Sequence, residues 1–220
     1  MLKKITLFGI LSLPTLFLAQ KNSNPSEIAI IPSIGFGWRT AEMPKGLSYQ
    51  EKEYLKGLKS GSNFDISAYY LLRNVVGIGV KYSIFNASND GQLTVSDNYG
   101  YNYTAKVHTK DKITFVGPSV LISNFNEETK HKLFVDMALG VITYTTQTGD
   151  VKGTGSTFGA EMNIAYQYQI LQNILIGPKV GLSGGTLSKM KYNGVTYDFG
   201  EDQKEGLSRL SLSAAVTFRF

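Results

Sequence analysis

The sequence holds two histidines, His108 and His131, and no cysteine. A disulfide framework and a thiolate metal site are therefore excluded. Acyl transfer needs a nucleophile, a base within hydrogen-bond reach and a group that orients the base. His108 is flanked by Val107 and Thr109, with no His-x-Ser arrangement around it. No such set assembles from these residues, so no catalytic residue, metal ligand or cofactor site is assigned. The side chains that carry the most chemistry are instead six charges set among small or apolar neighbours: Asp65, Lys81, Asp136, Glu161, Lys179 and Arg209.

Those six charges share a setting. Each falls in a segment where apolar residues alternate with polar or small ones, the mark of a strand with two unlike faces. The alternation predicts eight strands, near 27–38, 62–72, 75–87, 111–123, 132–146, 156–170, 174–188 and 207–220. In the last, Leu210, Leu212, Ala214, Val216, Phe218 and Phe220 share one face, and Arg209, Ser211, Ser213, Ala215, Thr217 and Arg219 the other. In 62–72, Phe64, Ile66, Ala68 and Tyr70 oppose Asn63, Asp65, Ser67 and Tyr69.

The face that carries charge is otherwise rich in Gly, Ser and Ala. The opposite face is built of Ile, Val, Phe and Tyr, too much volume for the lumen of a small barrel. The charges are therefore expected around the axis and the large apolar set outside, against hydrocarbon. This predicts an all-β fold, an eight-stranded antiparallel up-and-down transmembrane β-barrel. An unpaired charge in a narrow lumen is costly. If the turn at 72–74 sets Leu71 opposite Val75, Asp65 faces Lys81 directly. Asp136, Glu161, Lys179 and Arg209 are then expected in a wider network that fixes strand register. Gly77, Gly79, Gly177, Gly181 and Gly184 are expected to relieve crowding in the lumen, with no substantial channel.

Residues 1–20 read as a secretory signal peptide. Lys3 and Lys4 supply the positive start, Ile5 to Leu18 an apolar run, and Ala19 a small residue for cleavage. The expected organisation is a signal peptide over 1–20 and a barrel over 21–220. The formal charge of +5 includes those two lysines, so the remainder is only mildly basic and nucleic acid is not an expected partner. Charged residues make up 18% of the chain, against about 25% in a usual soluble domain.

The connections alternate in length. Leu72-Arg73-Asn74 and Leu171-Gln172-Asn173 read as tight turns, each with Asn at a position expected to be left-handed. The segments 39–61, 88–110, 147–155 and 189–206 are longer. Ser48-Tyr-Gln-Glu51 reads as a capping box opening a short helix. Met190 to Tyr197 reads as a hairpin turning at Asn193-Gly194. Tyr99, Tyr101, Tyr103, Tyr192 and Tyr197 are expected to form an exposed contact surface on these longer segments.

The C-terminal stretch Leu210-Ser-Leu-Ser-Ala-Ala-Val-Thr-Phe-Arg-Phe220 resembles the insertion signal of bacterial outer-membrane barrels, with Leu212, Ala214, Val216, Phe218 and Phe220 at its alternating apolar positions. The layout from about Glu27 to Phe220 is similar to the OmpA/OmpX-type small barrels. The resemblance implies recognition by the barrel-assembly machinery and residence in the outer membrane of a Gram-negative cell. Short turns would then be periplasmic and long segments external. Outer-membrane lipid and lipopolysaccharide are expected partners, with an extracellular protein or glycan at the external tyrosines. The expected function is non-enzymatic, envelope-structural or surface-interactive. Two other readings stay open on sequence: a soluble or peripheral barrel carrying a small apolar ligand, and a lipid A-modifying barrel enzyme.

Overall fold

The computed structural model describes residues 27–43, 46–72, 75–96, 99, 101–200 and 204–220; the segment read as a signal peptide lies outside them. Among the described residues no helix is long and apolar enough to cross a membrane. The chain is built of strands: β1 (Ile28–Arg39), β2 (Ser60–Leu71), β3 (Val76–Ser96), β4 (Asn102–Ser123), β5 (His131–Thr148), β6 (Val151–Leu171), β7 (Ile174–Leu187), β8 (Lys189–Tyr192), β9 (Val195–Asp198), β10 (Glu205–Gly206) and β11 (Arg209–Arg219). One helix, α1 (Tyr49–Gly57), lies between β1 and β2.

Strands β1 to β7 pair in sequence order, and β11 pairs with both β7 and β1. The β1–β11 ladder runs from Ala29↔Arg219 to Arg39↔Arg209 and closes the barrel. Closure leaves the wall without an open sheet edge, which a sheet in hydrocarbon requires.

The alternation sorts as read. Ile66, Ile78, Val120, Leu139, Phe158, Ile164, Val180 and Leu212 point outward and are exposed. Asn63, Asp65, Ser67, Lys81, Asp136, Asn163, Lys179, Arg209 and Ser213 point inward and are buried. A contiguous apolar belt of this extent is costly in water and cheap in lipid. Outward Gly184, opposite exposed Ala160, departs from the expected set of lumen glycines, because the β6–β7 register places even-numbered β7 residues on the outside.

The lumen is layered. Ile31, Tyr69, Leu121, Phe125, Phe134 and Leu175 cluster toward the end with short turns. Phe85, Ile113, Phe115, Ile142, Leu187 and Met190 cluster toward the other end. The charges lie between these two apolar layers.

Strand lengths depart most from expectation at the long-loop end. The β3–β4 ladder continues from Asn86↔Lys112 to Ser96↔Asn102. The β5–β6 ladder continues to Thr148↔Val151, with Gly149 at φ 56° in the two-residue turn. Much of the expected loop sequence is thus strand, because Thr, Tyr and Val sustain pairing beyond the apolar belt. At the other end, Leu171 pairs with Ile174 across a two-residue turn and the register shifts between Gln169 and Leu171. Asn193 is the non-glycine residue with positive φ among the described residues. Asn173 is therefore not left-handed, and the turn is accompanied by the register shift on β6. Asn74 lies outside the described residues.

Candidate functional site

The six charges form three pairs. Lys81 Nζ lies 2.6 Å from Asp136 Oδ1, which also accepts a bond of 2.8 Å from Asn163 Nδ2. Lys179 pairs with Asp65, whose other oxygen accepts from the Ser33 hydroxyl. Arg209 pairs with Glu161 and donates to Ser83 Oγ at 2.6 Å, while the Ser83 hydroxyl donates to Glu161.

The expected facing pair Asp65–Lys81 is not formed. Leu71 lies opposite Gly77, so Asp65 faces Ser83 and Lys81 faces Ser67. The register sits two residues from the expected one because the turn is wider, with Leu72 N–H donating to Val76. A two-residue slip keeps every side chain on its face. The charges therefore stay inside but find partners across the lumen, from β3 to β5, β7 to β2 and β11 to β6. Such pairs tie together strands distant in sequence. A gap of about 10 Å³ lies among Asp65, Ser83, Glu161, Asn163 and Arg209, room for about one water.

The turn end is closed by the β4–β5 connection. Phe125 points into the barrel and is fully buried, edge-on to Phe134 with ring centroids 5.7 Å apart. Arg219 Nη1 donates to the Phe125 carbonyl at 2.6 Å, and Lys132 Nζ donates to the Glu127 carbonyl at 2.5 Å. Sequence reading missed this plug. Its signal was one aromatic in the otherwise polar stretch 124–131.

The long-loop end is roofed rather than plugged. Ser48 caps α1 and Glu51 returns the bond, its carboxylate accepting from Ser48 N–H at 2.8 Å. These bonds from the Ser48 side chain and backbone hold the Glu51 carboxyl below the usual carboxylate range. Tyr54 seats the helix on the barrel. Its hydroxyl donates to Thr109, and its carbonyl accepts 2.7 Å from Asn89 Nδ2. Its ring lies over Gly91, where any Cβ would overlap it.

Beneath the roof is a cavity of about 360 Å³, walled by Tyr54, Leu58, Asp111, Tyr144, Met190, Tyr192 and Phe199. Arg39 crosses its floor, 3.4 Å from Asp111 and paired with Glu205. Tyr192 faces this cavity and packs on the upper apolar cluster, so it leaves the expected outer contact surface. Tyr197 meets its ring edge-on. Tyr99, Tyr101, Tyr103 and Tyr197 are exposed.

The two histidines lie apart. His108 Nδ1 bonds Asp90 at 2.7 Å, and His131 Nδ1 bonds the Tyr166 hydroxyl at 2.6 Å. On β11, Leu212 and Ala214 are exposed and Val216 and Phe218 partly so, as is Phe220 just beyond it. Phe220 N–H donates to Ile28 at 2.9 Å and so fastens the chain end to β1.

No family model and no curated protein sequence matches the chain. Solved structures do. Neisserial surface protein A is similar over 90% of this chain and 100% of its own, at 13% identity and a TM-score of 0.56. A major outer membrane protein from Thermus thermophilus covers the same shares at 11% identity and a TM-score of 0.53. The outer membrane protein OprG from Pseudomonas aeruginosa is similar over 90% of this chain and 97% of its own, at 11% identity and a TM-score of 0.50. The likeness is one of fold. Together with the outward apolar belt it defines the class: an eight-stranded transmembrane β-barrel of the kind solved from bacterial outer membranes, here with a filled lumen.

Proposed function

We propose that this chain is a non-enzymatic outer-membrane protein that serves envelope integrity or surface interaction through its extracellular extension. The observation that carries this reading is the contrast between lumen and loop end. Three ion pairs occupy the lumen between two apolar layers, with a gap of about 10 Å³ among them. Above them the β3–β4 ladder runs out to Ser96↔Asn102 with Tyr103 on it, and Tyr99 and Tyr101 beside its tip. Exposed tyrosines offer flat apolar area with a hydroxyl at the edge, a surface suited to an extracellular protein or glycan. The alternating apolar face of β11 suits handling by the barrel-assembly machinery. A soluble carrier of an apolar ligand is disfavoured by an inward face that is charged.

Cell fractionation with protease shaving tests this. The protein should partition with outer-membrane lipid, and protease added to intact cells should cut within 40–59 and 97–101. A deletion strain should change in detergent sensitivity or adhesion. Recovery of the folded protein from a periplasmic extract without detergent contradicts the location. Release or transfer of acyl chains from lipid A by purified protein replaces the non-enzymatic reading.

A further inference from the structure

The register of the extended strands gathers four lysines on one outward face. Lys110 on β4 pairs with Gln147 on β5, which pairs with Lys152 on β6. In the neighbouring row Lys112 pairs with Thr145, Thr145 with Thr154, and Thr154 with Lys191 on β8. All four lysines are exposed, and none has an ion pair among the described residues. Acidic neighbours are engaged or displaced. Asp90 bonds His108, Asp198 pairs with Lys189 at 3.0 Å, and Asp111 points inward. Asp150 stands at the tip of the β5–β6 hairpin, two residues from Lys152. The groups between the lysines are neutral hydrogen-bonding side chains.

The height of this face is set by the apolar belt below it. Outward Val116, Val141 and Phe158 mark the belt's edge on β4, β5 and β6. Next come Thr114, Thr143 and Ser156, the last two bonded to each other at 3.0 Å. Lys112 stands four residues beyond Val116, about 13 Å along the strand and roughly 10 Å in height at the usual tilt. A lysine stem folded back along the strand covers much of that distance for Lys112 and for Lys191, which pairs with Thr154; Lys110 and Lys152 stand two residues farther out. Lysines two strands apart have Cα atoms about 10 Å from each other, close enough for two ammonium groups to meet one phosphate.

We infer that Lys110, Lys112, Lys152 and Lys191, with Gln147, Thr145 and Thr154 between them, form a docking face for the phosphate-bearing headgroup of an outer-leaflet lipid. The occupant follows from charge complementarity at headgroup height beside an apolar wall that would take the acyl chains. The inference rests on the outer-membrane reading above.

The test uses the full mature barrel in phosphatidylcholine nanodiscs doped with monophosphoryl lipid A. Retained lipid is read by native mass spectrometry. The variant combines K110Q, K112Q, K152Q and K191Q; a control combines K52Q, K56Q, K106Q and K204Q. The native protein and the control should retain the phosphorylated lipid, and the variant should retain about tenfold less or lower still. Retention by the native protein should fall with added salt. A heat-modifiable gel shift shows that each barrel is folded. Equal retention by the variant, or an equal loss in the control, overturns the inference. Displacement of the lipid by millimolar inorganic phosphate also overturns it, since the face would then be a soluble-anion site. A native protein that fails to enter nanodiscs contradicts the membrane reading itself and is seen before any lipid is counted.

Discussion

At the turn end, the connection 124–130 folds back and sets Phe125 against Phe134, with Arg219 and Lys132 bonding its carbonyls. At the loop end, the connection between β1 and β2 rests on the barrel through Tyr54 of α1, with a cavity of about 360 Å³ beneath it. The short connection has few conformations to lose, and its Phe125 is fully buried. The long one is ordered by a helix cap, one aromatic anchor and a few hydrogen bonds. Ordering that length of chain costs more entropy than these contacts readily offset. The turn end should therefore behave as part of the barrel's stable core, and the loop end as a separate unit that opens at lower free energy. Barrels place binding work on the region that can change without unfolding the wall.

The largest expected effect lies in the layer both ends share. Lys179→Ala leaves Asp65 buried without its ion-pair partner and should cost about 3–5 kcal/mol, read by urea unfolding in lipid vesicles. Replacing both by apolar residues, Asp65→Leu with Lys179→Met, should cost less than either single change. A double variant as unstable as the sum of the singles would show that the two side chains are not coupled and would contradict the pair.

Phe125→Ala should cost about 3 kcal/mol, since it removes a buried ring and leaves a cavity at the turn end. Planar-bilayer recording should still show no large steady conductance, because the charged layer above is intact. Tyr54→Ala should change global unfolding little, by about 1 kcal/mol or less, while protease cuts within 40–59 many times faster. If Tyr54→Ala destabilised the barrel as much as Phe125→Ala, the two ends would not be independent.

The smallest effect concerns α1. The Glu51 carboxyl is held below its ordinary range, so its stabilisation of the helix cap is present above the unfolded value, about 4.3. That stabilisation is lost as pH falls through the lowered folded value. Protease nicking of 40–59 should rise in that window in the native protein. In Glu51→Gln it should be faster at neutral pH and independent of acid.

The faces of the strands were legible because a period of two leaves only two choices, and side-chain volume decides between them. Ile66, Ile164 and Val216 against Asp65, Ala165 and Ala215 needed no tertiary information. Pairing of the charges was not legible. Facing partners depend on turn width, and a two-residue slip preserves the face while changing every neighbour. Partners across the lumen, such as Lys179 with Asp65, depend on closure, which no local pattern encodes. The extension of β3 and β4 was hidden because polar strands beyond a membrane share their composition with loops. For the same reason Lys110, Lys112, Lys152 and Lys191 read as scattered charges until the register aligned them. The inward turn of Tyr192 followed from Met190, two residues earlier on the same face.

The chain has no cysteine, so single introduced thiols can be spin-labelled without background. Labels at Ile66, Ile164 and Val216 should be accessible to oxygen dissolved in the bilayer and shielded from a water-soluble nickel reagent. Labels at Ser67, Ala165 and Ala215 should be poorly accessible to both. The reverse, with the first three shielded from oxygen and the second three facing lipid, would contradict the outward apolar belt on which the account rests.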